Sequence, residues 1–254
     1  MRPQTKWRMV GLTLALALFV TGCAAEKAYR ERQARTARDI GERLLARNDT
    51  SKALEQFLKA QEINPDDPYL QYDLALTYDM KGVLDKAEHH LKEAIKLKPD
   101  YSDAYNYLGF VYFRQGKVQE AIEAYNKALD NLLYENPQEA QLNLGVAYLS
   151  LKQYQKAKVH LEEAIRLVPT FVAAYNSLGK TYEGLGQYDK ARKAYEKALE
   201  FNPDYVDSNL NLGKLFYRNG QRQKAIKCFD KVIRLDPGSD RAQEALRYLR
   251  ALGK

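Results

Sequence analysis

An aliphatic residue followed by glycine or alanine recurs along this chain on a fixed interval. Ile40-Gly41, Leu74-Ala75, Leu108-Gly109, Leu144-Gly145, Leu178-Gly179 and Leu212-Gly213 are spaced by 34, 34, 36, 34 and 34 residues. Self-similarity at such a period is the signature of a solenoid, whose units bury their apolar faces against one another. A chain built this way needs no large central core, so its 254 residues need not divide into conventional globular domains. The single 36-residue step is the one break in the rhythm.

Placing the small residue at position 8 gives six units: 34–67, 68–101, 102–137, 138–171, 172–205 and 206–239. Position 11 holds Leu44, Tyr78, Tyr112, Tyr148, Tyr182 and Phe216, and position 20 is always alanine, from Ala53 to Ala225. Position 24 holds Phe57, Leu91, Tyr125, Leu161, Tyr195 and Phe229. Position 27 holds Ala60, Ala94, Ala128, Ala164, Ala198 and Val232. Small residues at 8, 20 and 27 let two helices approach closely, and large ones at 7, 11 and 24 fill the space between them. Position 32 is Pro65, Pro99, Pro169, Pro203 or Pro237 in five units and Leu133 in the third. Proline cannot continue a helix, so it closes each unit. Asp67 ahead of Pro68 reads as a helix cap, with Thr170 and Ser239 as similar caps. Residues 240–254 carry Ala242, Ala245, Leu246 and Leu249 on one face and read as a terminal capping helix.

These units resemble the tetratricopeptide (TPR) repeat. The resemblance implies an all-α, right-handed superhelical solenoid of six two-helix repeats plus a C-terminal cap. It also implies that the first helix of each repeat lines a concave groove, with partners meeting positions 2, 5, 9, 12 and 13. Carried onto this chain, those positions are Tyr69, Tyr72, Leu76 and Met80 in the second repeat. In the third they are Asn106, Phe110, Phe113 and Arg114, and in the fourth Leu142, Val146 and Leu149. The fifth repeat turns polar, with Asn176, Lys180 and Glu183. An apolar stripe of this kind suits an extended peptide or an amphipathic helix. The alternative is that positions 9 and 12 are partly buried against the next repeat.

The N-terminus has the three parts of an export signal. Arg2, Lys6 and Arg8 precede the apolar run Met9–Val20, which is too short for a bilayer span of about 20 residues. The tetrapeptide Val20-Thr21-Gly22-Cys23 then resembles a bacterial lipobox. That resemblance implies removal of residues 1–22, a diacylglycerol on Cys23, and, with Ala24 next, sorting to the outer membrane facing the periplasm. Residues 23–33 would be a short tether of roughly 35 Å extended or 15 Å helical. Residues 27–47 are rich in arginine, which suits either anionic headgroups or a solvated helix face. The net charge of +7 falls to about +4 once the signal is removed, too little to argue for nucleic acid.

The residues offer little for catalysis. His90, His160 and Cys228 share position 23, but in repeats two apart, which a solenoid keeps from touching. No zinc site or Cys-His pair is expected, and His89-His90 reads as a solvated surface, since adjacent helical residues do not face each other. No glycine-rich phosphate loop is present. The sequence therefore points to a non-enzyme with no metal, cofactor or small-molecule substrate, acting on a protein partner.

The irregular third junction adds a second resemblance. Ala128-Leu129, Tyr134, Pro137, Ala140 and Asn143-Leu144-Gly145, with Asn106–Phe110 before them, resemble the lengthened link of the type IV pilus pilotin family (the PilF, PilW and Tgl type). The sequence departs from that family in carrying Glu135 after the tyrosine. The resemblance implies a lipid-anchored protein that helps a secretin subunit reach the outer membrane and assemble. A general cell-envelope adaptor for peptidoglycan enzymes or proteases is the alternative.

Overall fold

The helices come in pairs whose lengths and turns repeat. The structure, a computed structural model, describes residues 26–253. The export signal, Cys23, Ala24 and the C-terminal Lys254 lie outside the described residues. The first helices of the pairs are α1 (26–46), α3 (Pro68–Met80), α5 (Ser102–Arg114), α7 (Pro137–Ser150), α9 (Val172–Gly184) and α11 (Val206–Arg218). The second helices are α2 (Thr50–Ile63), α4 (Leu84–Leu97), α6 (Val118–Leu129), α8 (Tyr154–Leu167), α10 (Tyr188–Phe201) and α12 (Arg222–Leu235). Helix α13 (Asp240–Ala251) ends the array, and the described residues contain no strand. The fold is thus the all-α repeat solenoid that the period implies. Two compact units divide the chain, Met1–Val111 and Tyr112–Lys254.

Close approach within each pair follows from position 8. A Cβ added at Gly145 would stand 2.5 Å from Leu161 Cγ, and one at Gly213 would stand 2.8 Å from the Phe229 ring. Gly41 and Gly179 face the rings of Phe57 and Tyr195 in the same way. Position 8 therefore takes the large residue of position 24 directly against its backbone. Phe57, Leu91, Leu161, Tyr195 and Phe229 are fully buried there, among alanines that are also fully buried. Burying each such side chain contributes roughly 1.5–3 kcal/mol.

The turns explain where helices stop. Three residues join the two helices of each pair, and the middle one has a positive φ in all six: Asn48, Gly82, Gly116, Lys152, Gly186 and Gly220. Helices α2, α4, α8, α10 and α12 each end two residues before their proline, and the residue after each helix donates its N–H to the position-27 carbonyl. Helix α6 ends earlier, at Leu129. Asn131 takes the Leu133 N–H on its side-chain oxygen, a local turn that competes with the helix. The two extra residues therefore lengthen the loop after α6, which exposes Leu132 and Leu133 while Tyr134 stays buried.

Two caps are where the sequence places them. Asp67 accepts from the N–H groups of Tyr69 and Leu70, and Ser239 accepts from Ala242. Thr170 is a correction: α9 begins at Val172 with Phe171 at its cap, because Thr170 lies in the preceding turn. Residues 26–33, read as tether, are helical and form the first turns of α1. Among the described residues no helix is long and apolar enough to cross a membrane.

Candidate protein-interaction surface

In the first unit, α3 turns one face inward and leaves another open. Leu70, Leu74, Ala75 and Tyr78 are buried, whereas Tyr69 and Met80 are 41% and 48% exposed. Tyr72 and Leu76 lie between them, half-buried. The four stand at intervals of three or four residues, so they share one helical face about three turns long.

Further aromatic rings extend that face. The Tyr101 ring centroid lies 5.3 Å from both Tyr69 and Tyr72, Tyr107 lies 5.9 Å from Tyr72, and Phe110 lies 5.5 Å from Tyr107. These separations are in the favourable range for ring pairs. Lys98 Nζ stands 4.8 Å above both Tyr69 and Tyr101 and donates to the Tyr69 hydroxyl at 2.9 Å. Arg38 lies 5.3 Å from the Tyr69 ring centroid. The same guanidinium reaches Asp73 at 2.6 Å, Glu42 at 2.8 Å and Asp67 at 3.7 Å. Arg38 is therefore a structural clamp on the capped end of α3, not part of a solvated face. Burial pushes the Asp73 carboxyl up to about 6 against the pull of Arg38. Burial also pushes the Tyr72 hydroxyl up to about 12, so it stays neutral.

The remaining groove residues divide by environment. Asn106 and Phe110 are half-buried on α5 in the first unit. In the second unit Arg114 and Val146 are exposed and half-buried, respectively. Phe113 packs against the cluster of Ala121, Ile122, Tyr125, Leu144 and Ala147. Leu142 and Leu149 pack against Ala157, Leu161 and Leu178. In the fifth repeat Asn176 is buried, accepting from Ser208 and Asn211 at 3.1 and 3.0 Å. It ties α9 to α11 and is not available to a ligand.

The histidines also correct the solvated reading of the His89-His90 pair. His90 is buried, with its Nδ1 2.7 Å from Gln71 Oε1 and its ring stacked at 5.3 Å on Tyr78. His160 repeats this against Gln141 at 2.8 Å and Tyr148 at 5.3 Å. The pattern joins positions 4, 11 and 23, a spacing visible in the sequence once the repeats are aligned. Burial, reinforced by His89 and Lys86, lowers His90 to about 4, so it is neutral at pH 7. Burial pushes the Cys228 thiol up to about 11, which makes it a poor nucleophile. Among the described residues no group of three His, Cys, Asp or Glu side chains could hold a metal ion.

Comparison with known proteins agrees with this geometry. Family profiles described as TPR repeat match residues 41–82, 80–116 and 184–220. Profiles described as tetratricopeptide repeat match residues 100–170, 148–199 and 206–239. The structure of PilW, a type IV pilus biogenesis factor, superposes with a TM-score of 0.77 at 23% identity, over 84% of this chain and 98% of that one. PilF of Pseudomonas aeruginosa gives 0.74 at 22%, over 86% and 98%. At these identities the likeness is one of fold. Small glutamine-rich tetratricopeptide repeat-containing protein 2 of Mycosarcoma maydis is 33% identical over 107 residues, 42% of this chain. The chain spans less than a third of that relative's length.

Proposed function

The chain belongs to the tetratricopeptide repeat proteins, and on that footing we propose that it is a non-catalytic scaffold assisting secretin assembly in type IV pilus biogenesis. In this reading lipid on Cys23 anchors it to the outer membrane, facing the periplasm. The observation that carries the binding role is the open α3 face, Tyr69, Tyr72, Leu76 and Met80, flanked by Tyr101 and Lys98. Tyrosines give large contact area for few lost rotamers, and methionine adapts to irregular partners. A segment lying there would bury apolar side chains between the rings, while Lys98 meets an acceptor at the Tyr69 end. The process is suggested by the two pilus proteins, nearly all of whose length this chain covers.

Crosslinking in intact membranes followed by affinity capture tests the reading. Secretin oligomers should be recovered with the wild type and lost with Tyr69→Asp/Met80→Asp, at unchanged melting temperature. Recovery of peptidoglycan enzymes alone would replace the pilus role with that of a general envelope adaptor. Phe110→Asp/Phe113→Asp reads the neighbouring repeat: lost binding with collapsed stability would assign those rings to packing. Lipidation is read by radiolabelled palmitate, which should label the wild type and not Cys23→Ser.

A further inference from the structure

Alignment of the repeats exposes a difference at position 23 that opens a cleft in the second unit. In the second and fourth repeats a histidine occupies this position and stacks on the position-11 tyrosine at 5.3 Å, with rings nearly parallel. In the fifth repeat the equivalent residue is Ala194, an alanine shared with Ala124 of the third repeat. Between α9 and α10 this leaves a cleft of about 370 Å³ beside Tyr182. Tyr175 and Leu178 form its α9 wall, Ala194 its floor, and Lys190, Lys193 and Lys197 its rim.

The rim has charge to offer. Lys197 is paired with Glu200 at 2.8 Å. Among the described residues no carboxylate lies within ion-pair distance of Lys190 or Lys193, and Lys190 Nζ stands 5.7 Å over the Tyr182 ring. The nearby Glu162 is already engaged by the Tyr182 hydroxyl at 3.3 Å and by Lys158 at 3.7 Å. Positions 190, 193 and 197 lie on one helical face over about 10 Å, the reach of about three residues of extended peptide.

We propose that this cleft binds an acidic peptide segment of a partner protein, with one planar side chain seated on Tyr182 where the second and fourth repeats seat their own histidine. The carboxylates flanking that side chain meet Lys190 and Lys193. Ring stacking and charge-assisted contacts give recognition together, since an exposed lysine pair contributes little by itself. This surface is separate from the α3 face and does not depend on the pilus reading.

The test uses fluorescence anisotropy with the full mature chain and a labelled pentapeptide carrying phenylalanine between two pairs of aspartates. Control peptides replace the phenylalanine by alanine, or the aspartates by lysines. The acidic aromatic peptide should bind at least tenfold more tightly than either control and weaken with added salt. Ala194→His should cut binding at least tenfold by filling the cleft as His90 and His160 fill theirs. Lys190→Glu/Lys193→Glu, on the exposed rim, should do the same with an unchanged circular dichroism melt, which guards against misfolding of the Ala194 variant. Equal affinity for the alanine peptide, or full binding by both variants, would overturn the proposal. So would two further outcomes: binding of phosphatidylglycerol vesicles but not of peptide, or concentration-dependent self-association lost in Ala194→His, which would make a second copy the occupant.

Discussion

The close approach of position 8 to position 24 can be tested by a substitution that is conservative on paper. Gly145→Ala adds one methyl group to α7, and a bare helix would gain about 1 kcal/mol from it. Here the new Cβ would stand 2.5 Å from Leu161 Cγ and 2.6 Å from its Cδ2. Ordinary contact needs at least 3.4 Å, so both atoms must retreat by nearly an ångström. Leu161 is fully buried and has nowhere to swing. Overpacking of this kind costs about 1–3 kcal/mol, and two displaced atoms argue for the upper end. The net loss should be about 2 kcal/mol. Leu161→Ala alone should cost about 2–5 kcal/mol through its cavity. The double variant removes both clashing atoms and leaves the Ala157 carbonyl at 3.4 Å as the nearest neighbour. Its loss should therefore be no greater than that of Leu161→Ala, which gives a compensating coupling of about 2 kcal/mol or more. Repeat arrays need not unfold in one step, so the assay is native-state hydrogen exchange on peptides from α7 and α8. Additive losses within about 0.5 kcal/mol, or protection that rises in Gly145→Ala alone, would refute the packing argument.

Three further outcomes follow from particular residues. Lys152 has φ 57 in a turn where four of its counterparts are glycine, so Lys152→Gly should stabilise the chain by about 0.5–1 kcal/mol; a lower denaturation midpoint would contradict this. His90 is held near 4 in the folded chain against 6.5 when unfolded, so unfolding binds an extra proton between those values and stability falls as pH drops through that window. The stability gap between wild type and His90→Asn should therefore shrink by about 3 kcal/mol from pH 7 to pH 4, with Asp73 opposing it equally in both proteins; a constant gap would reassign the histidine. Leu132 and Leu133 are 97% and 87% exposed. Replacing both with serine should change stability by less than about 0.5 kcal/mol, and a larger loss in thermal denaturation would show that the loop packs.

Much of the fold was legible because each repeat states the same packing rule again. A lone Leu-Gly means little, but six aliphatic–small pairs, each followed by alanine at 20 and a large residue at 24, specify the contact that Gly145 and Leu161 make. Prolines likewise mark helix ends without reference to tertiary structure. Thr170 shows the limit of local reading. It is a good capping residue by type, yet the chain places Phe171 at the cap because the four-residue link between pairs fixes where α9 begins.

Sites were less legible because exposure depends on what the neighbouring helix brings. Tyr69, Leu142 and Phe113 occupy groove positions of the same pattern. Tyr69 remains open with two cations near its ring, whereas Leu142 and Phe113 are taken up by apolar clusters. The histidines carry the converse lesson. Sequence alone places His90, His160 and Cys228 at position 23 and rules them out as ligands of one another, but it does not show what each one touches. Each histidine instead fills a slot within its own repeat, bounded by glutamine at 4 and tyrosine at 11. Once the slot is defined, Ala194 ceases to be an unremarkable alanine on α10, because, like Ala124 in the third repeat, it stands where the second and fourth repeats lay a ring on their tyrosine. In a repeat protein the informative residue can therefore be the one that fails to fill a position its sister repeats occupy.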